Sequence, residues 1–264
     1  MSIAYTAERF VSLAKTRKSL LWGLAVRSLL VRYQGSVFGF LWTLLSPVLQ
    51  IAVYSLVFGV VMRVGMKDYW LYLFNGIVFW GIISSTLLEA PASILGSSRL
   101  VSRAGLPSEI IPCRIVLTLL LNYLIVLPVY LACFFMFRGP LTIHFAQILF
   151  ILPLTLMFCL ASALILAYLG AIFRDIQHFI QVIVQLLFFT TPITYVAERI
   201  TGKLEMVLQY SPFTAVVSMN ADALFLGRMV DPTHLYVFSL WTLALWGVAF
   251  LVHTRFSSTA IEVV

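Results

Sequence analysis

Apolar residues fill this chain in long unbroken runs, and polar residues gather in the gaps between them. Six runs, at about 37–62, 69–90, 113–137, 147–173, 177–197 and 235–253, are greasy enough to span a membrane, which takes roughly 20 helical residues for about 30 Å of hydrocarbon. None alternates with the two-residue period of a lipid-facing barrel strand. The pattern predicts an all-α, polytopic integral membrane protein with six transmembrane helices. The first and fourth runs exceed what a bilayer needs, which licenses tilt or an interfacial extension.

The gaps carry their own patterns. Residues 5–31 mix Arg9, Lys15, Arg17, Lys18 and Arg27 with Phe10, Leu13, Leu20, Leu21, Trp22, Leu24 and Leu29, which suits an amphipathic helix lying in the headgroup layer. An ordinary basic flank is the alternative. The second and third runs are joined across 96–112 by the polar, Pro-broken "GSSRLVSRAGLPSEIIP". Its "RAGLPSE" suits a short surface helix ending near Pro107 that docks a soluble partner, or else a plain loop. Arg174 and Asp175, in "IFRDIQHF", mark a tight turn between the fourth and fifth runs. Residues 192–234 are semi-apolar rather than loop-like, so short re-entrant helices are expected there, because irregular backbone at membrane depth must be shielded.

Composition agrees with the pattern. The 264 residues are 62% hydrophobic and only 10% charged, against about 25% charged in soluble domains. The net charge of +7 falls unevenly. With the N-terminus inside, the inner segments hold Arg9, Lys15, Arg17, Lys18, Arg27, Arg32, Arg99, Arg103, Arg114, Arg174 and Arg255. The outer cations Arg63, Lys67, Arg138, Arg199, Lys203 and Arg228 are nearly balanced by Asp68, Glu198, Glu205, Asp222 and Asp231. Both termini are therefore expected in the cytoplasm, with the basic face toward anionic lipid and no nucleic-acid partner. The opening residues lack the apolar core of a signal peptide, so no cleavage is expected. Cys113, Cys133 and Cys159 stand singly in apolar runs and read as small buried hydrophobes.

Candidate chemistry is sparse. No GxxxxGK[ST] phosphate loop occurs, and His144, His178, His234 and His253 fall at span ends as interfacial polar residues, with no metal-binding spacing. Glu89 is the one acid well inside an apolar run, too little for a carboxylate-and-metal enzyme or an ion relay. Any energy source must come from another chain.

Four motifs in order, "RYQGSVFGFLWTLLSPVLQIAVYSLVF", "AGLPSEIIP", "FRDIQHFIQVIVQLLFFTTPITY" and "YSPFTAVV", resemble the permease subunits of ABC-2 type exporters of bacterial polysaccharides, closest to the O-antigen branch. The likeness spans about residues 20–253. It implies that two copies pair with two ATP-binding subunits, which bind ATP and magnesium while this chain carries no cofactor. A glycan linked to undecaprenyl diphosphate would then cross the bacterial inner membrane between the copies. Exporters of teichoic acid, drugs or lipids share much of this pattern, and an intramembrane enzyme on a polyprenyl-linked substrate is the alternative of another class, requiring acids such as Glu89 and Asp222 to converge.

Within that resemblance the segment Arg103, Leu106, Pro107 and Glu109 is the expected ATPase-coupling site, with Arg174 and Asp175 as a second contact. Glu109 either pairs with a base on the ATPase or caps its own helix. Arg27 and Arg32 are expected at the depth of the lipid diphosphate, where guanidinium forks suit phosphate oxygens; snorkelling anchors are the alternative. Gly35 and Gly39 either admit a close helix neighbour or form a hinge. Pro47 suits a bend. Channel-lining candidates, from a chain with 21 Phe, 11 Tyr and 6 Trp, are Phe38, Trp42, Tyr54, Phe58, Phe188, Phe189 and Tyr195. They cannot all share one narrow face, since Trp42 and Tyr54 lie about 120° apart on a helix of 3.6 residues per turn.

Overall fold

A computed structural model describes residues 18–61, 63, 65–97, 106–195 and 208–262. Among them are eight α-helices and no strand: α1 Lys18–Arg32, α2 Trp42–Tyr54, α3 Tyr69–Gly96, α4 Ile110–Arg138, α5 Ile148–Ile172, α6 Ile176–Thr190, α7 Pro212–Ala221 and α8 Pro232–Glu262. A 3-10 turn at Gly39–Leu41 and a π-helical stretch at Ser55–Val61 extend α2 into one apolar helix, Gly39–Val61. Of the interfacial stretch only α1 is described, and residues 98–105 and 196–207 lie outside the described residues.

α3 is the hub. Of its most apolar stretch 72% is buried, against 6% for Gly39–Val61. It packs on α2, α4, α5, α6 and α7, most extensively on α5. The α3–α5 crossing has a specific cause: a methyl group on Gly170 of α5 would stand 2.2 Å from the Pro91 carbonyl oxygen and 2.6 Å from its Cα. Only hydrogen fits where these two backbones touch. Pro91 has no N–H of its own to donate, and neighbouring helices make such breaks tolerable in a membrane span.

Among the described residues five helices are long and apolar enough to cross a membrane. α6, the expected fifth span, is shorter at 15 residues, about 22 Å at 1.5 Å per residue. It stops at Thr190 because Pro192 disfavours helix in the residue before it, and Thr191 is accordingly extended, with φ −88° and ψ 139°. The chain does not run on to 197 as helix. Thr191, Pro192, Ile193 and Thr194 turn back and are buried. A methyl on Gly76 of α3 would already meet Ile193 at 3.3 Å.

That buried irregular backbone is satisfied by side chains of the spans. Tyr72 donates from its hydroxyl to the carbonyls of Pro192 at 2.8 Å and Tyr195 at 2.9 Å, and Tyr69 to that of Thr194. Tyr130 of α4 donates to the Leu224 carbonyl at 2.9 Å, and Arg138 to that of Phe225 at 2.7 Å. The Asn75–Asn220 amide pair, at 2.8 Å, ties α7 to α3. α7 starts with Pro212 at its first helical position and is largely buried, so a short helix folded into the bundle does occupy the region after α6. α8 opens after Asp231, which accepts from the Thr233 N–H at 2.8 Å. That bond is the main cause holding the Asp231 carboxyl below its usual value.

Gly35 and Gly39 sit in open space with φ of +81° and +48°. Their positive φ serves the turn between α1 and α2, and within this chain no helix approaches them closely.

Replacing Gly170 by Ala is expected to lower stability by about 3 kcal/mol, the upper end for overpacking, because backbone rather than a side-chain tip must yield. Gly247→Ala, where a methyl meets nothing within 4 Å, is the control. Thermal unfolding of the detergent-solubilised protein compares them, and equal melting temperatures would refute the α3–α5 contact.

Candidate functional site

Polar groups converge at two places near the end of the bundle that carries α1. The first is the elbow between α1 and α2. α1 lies on α4 through a narrow stripe, Ala25 and Leu29, which are buried. Thr118 donates to the Ala25 carbonyl and Arg114 to the Ser28 hydroxyl, each at 3.4 Å. This places Arg32, in the last turn of α1, beside α3, where its guanidinium donates to Glu89 Oε1 at 2.7 Å. Arg27 is exposed on the same helix. Glu89 is thus the partner of Arg32. Asp222, held by Arg228 at 2.7 Å, lies near the other end of α3, two residues past the Asn220 that pairs with Asn75. The two carboxylates do not converge.

The second place is where the chain enters α4. Leu106 and Pro107 are partly exposed, while Ser108 and Glu109 turn inward. Ser108 Oγ lies 3.0 Å from the Tyr168 hydroxyl of α5, which in turn lies 3.0 Å from His253 Nδ1 of α8. His253 Nε2 is 3.5 Å from Glu109 Oε1, both side chains being 2% exposed. His253 is therefore buried rather than interfacial. Glu109 faces the bundle instead of a docking surface, and it makes no side-chain cap to α4. The reason is the spacing of the entry turn, which points Leu106 and Pro107 outward and the next two residues in. Arg103 lies outside the described residues. Arg174 and Asp175 form the exposed tight turn between α5 and α6, with the Asp175 carbonyl accepting from the N–H groups of His178 and Phe179.

The aromatic candidates divide. Phe38 and Trp42 pack edge to face, 5.8 Å apart, near the elbow. Tyr54, Phe58, Phe188 and Phe189 form a second group that joins α2 to α6, with Tyr54 and Phe188 at 5.3 Å and Phe188 and Phe189 at 5.4 Å. Trp80 of α3 backs this group at 6.4 Å from Phe188. Tyr195 belongs to neither, because its hydroxyl donates to the Thr190 carbonyl at the end of α6. Among the described residues no group of three or more His, Cys, Asp or Glu could hold a metal.

The fold defines an all-helical, multi-pass membrane protein built round α3, with its polar clusters tying helices to one another. Residues 19–225 match the ABC-2 type transporter family, and the chain belongs to it. It is 30% identical over 242 residues to the O-antigen export system permease protein RfbA of Myxococcus xanthus, covering 90% of this chain and 93% of that protein. A protein of the same name from Klebsiella pneumoniae is 28% identical over 72% of this chain and 74% of its own length. The polysialic acid transport protein KpsM of Escherichia coli is 22% identical over 87% of this chain and 90% of its own.

Glu109→Ala strips the buried carboxylate from beside His253 and is expected to cost about 3 kcal/mol, whereas Asp175→Ala on the exposed turn stays within about 0.5 kcal/mol. Thermal unfolding of the two purified variants decides; equal small losses would mean that Glu109 is not part of a buried pair.

Proposed function

We propose that this chain is the channel-forming subunit of an ATP-driven exporter that carries a lipid-linked polysaccharide across the bacterial inner membrane. The observation that carries the reading is the apolar face shared by α2 and α6. Gly39–Val61 is the least buried of the long apolar helices, α6 buries only Val184, and an aromatic group joins them. Two such faces, one from each of two copies, make a path lined by rings. Aromatic faces give sugars sequence-tolerant contact on their C–H surfaces without strong sites that would stall a polymer. The names of the relatives support a glycan cargo, O-antigen before capsule, on undecaprenyl diphosphate. Teichoic acid, drug or lipid export is the competing assignment within the family.

In this reading both termini face the cytoplasm. Two ATP-binding subunits dock from that side, binding ATP and magnesium, against Arg103, Leu106 and Pro107 and against Arg174 and Asp175. Glu109 acts from within, fixing the docked segment to α5 and α8. Arg27 and Arg32 receive the carrier diphosphate. One Arg32 donor is engaged by Glu89, and a guanidinium has five, so the fork keeps donors for a phosphate.

Deleting the gene is expected to abolish surface glycan, and the tagged chain should co-purify with an ATP-hydrolysing subunit. Arg27→Ala combined with Arg32→Ala should cut export about tenfold or more, matching the roughly 1.5–3 kcal/mol of a charged hydrogen bond, with the subunit still bound. Unchanged surface glycan in the deletion strain would end the reading.

A further inference from the structure

Between α2, α3 and α4 lies a cleft of about 340 Å³, within the range of small-molecule sites, roughly 300–1,000 Å³. Its walls include Thr43, Ser46 and Gln50 from α2, Ser85 from α3, and Asn122 and Tyr123 from α4, and Arg32, paired with Glu89, stands at one end. Three of these residues hold buried polar atoms with no hydrogen-bond partner among the described residues: Thr43 Oγ1, Asn122 Oδ1 and the Tyr123 hydroxyl. Thr43 and Tyr123 are only 4% and 3% exposed. Many such hydroxyls elsewhere are satisfied: Thr86, Thr155 and Thr242 donate to carbonyls one turn back, and Tyr69, Tyr72 and Tyr130 donate to loop carbonyls; partnerless atoms outside the cleft, such as Thr214 Oγ1 and His234 Nδ1, do not gather round a cavity of this kind. An orphaned buried group costs about 1–3 kcal/mol, so three around one cleft point to something that enters it.

We infer that the cleft binds a sugar ring of the exported glycan, the one nearest the carrier diphosphate; this deepens the export reading and rests on it. Amides and hydroxyls on the walls donate and accept alike, and the one full charge on the lining, Arg32, stands at the end of the cleft, engaged by Glu89 through one donor and keeping the others for the diphosphate. A lone ion would need walls of one sign, and an acyl or prenyl tail would leave the three atoms orphaned. A neutral ring edged with hydroxyls meets both requirements. Trp42, also on the wall, has its indole N–H held by Ser36 at 3.0 Å, which fixes an aromatic face beside the ring. The site is internal to one copy and close to Arg32, so each copy would hold one sugar while Arg32 holds the diphosphate.

The test uses the full chain in its native strain. A benzophenone amino acid at Gln50 is expected, on irradiation, to give a permease band carrying glycan. The same group at exposed Val248 of α8, or at Gln50 in a strain that makes no glycan, should give none. Gly81 also lines the cleft, and a Cβ there meets nothing within 4 Å. Gly81→Phe therefore fills the space and should lower export tenfold or more, with unchanged melting temperature and unchanged partner binding. Where Gly81→Phe does not assemble, Asn122→Leu, which keeps the volume and removes the amide, takes its place with the same expectation. No adduct at Gln50, or wild-type export by the assembled blocking variant, overturns the inference and leaves a cleft filled by water only. In either case the glycan-export reading stands as long as deletion of the gene still abolishes surface glycan, and it falls separately if deletion does not.

Discussion

The contact of Gly170 with the backbone of Pro91 is the constraint on which the rest of the bundle depends. A side chain at either helix surface would hold α3 and α5 apart by the width of a methyl group or more. Membrane helices gain little from hydrophobic exclusion, since lipid is as apolar as their side chains, and associate instead by close packing and hydrogen bonds. Seating α5 directly on α3 buries Ile94, Ala161, Leu164, Ala167 and Tyr168 together near the α1 end. That same seat brings Tyr168 to Ser108 and, through α8, to His253. The polar cluster at the entry to α4 is thus a consequence of a glycine facing a proline.

The opposite end solves a different problem. The buried turn at Thr191–Thr194 and the stretch that follows α7 bring unpaired carbonyls into apolar surroundings, where each would cost several kcal/mol. Tyr69, Tyr72, Tyr130 and Arg138 supply the missing donors from the spans. The "TTPITY" and "YSP" stretches therefore have packing roles. Pro192 ends α6, Ile193 fills the space that Gly76 leaves, and Pro212 starts α7.

Much of this was legible in the sequence, and the reasons differ by scale. Long apolar runs, the turn at Arg174 and Asp175, and the semi-apolar stretch after α6 are local signals, and the helical class followed from them. Pairings across the chain carried no local trace. Glu89 read as an isolated acid because Arg32 lies 57 positions away, and His253 read as interfacial because Glu109 sits on another helix. Gly170 gave no signal at all inside "AYLGAIF". Gly35 and Gly39 drew attention by their spacing, yet positive φ in an open turn explains them. The aromatic candidates were chosen by position along α2 and α6; only the fold could separate Phe38 and Trp42 from the group around Phe188, or tie Tyr195 back to Thr190.

The magnitudes also say which parts of the bundle can shift against each other. Glu109 lies 3.5 Å from His253, and Ser108 lies 3.0 Å from Tyr168, all four side chains being buried, so the entry to α4 is tied to α5 and α8. Arg32 and Glu89 are about one-third exposed, and ion pairs near the surface contribute about 0–1 kcal/mol. The elbow between α1 and α2 is held by that pair together with its own turn hydrogen bonds and the Trp42–Ser36 bond, while α1 rests on α4 and α2 buries little against its own chain. The wall of the cleft that belongs to α2 and the aromatic face shared with α6 are therefore built from the least buried helices of the bundle.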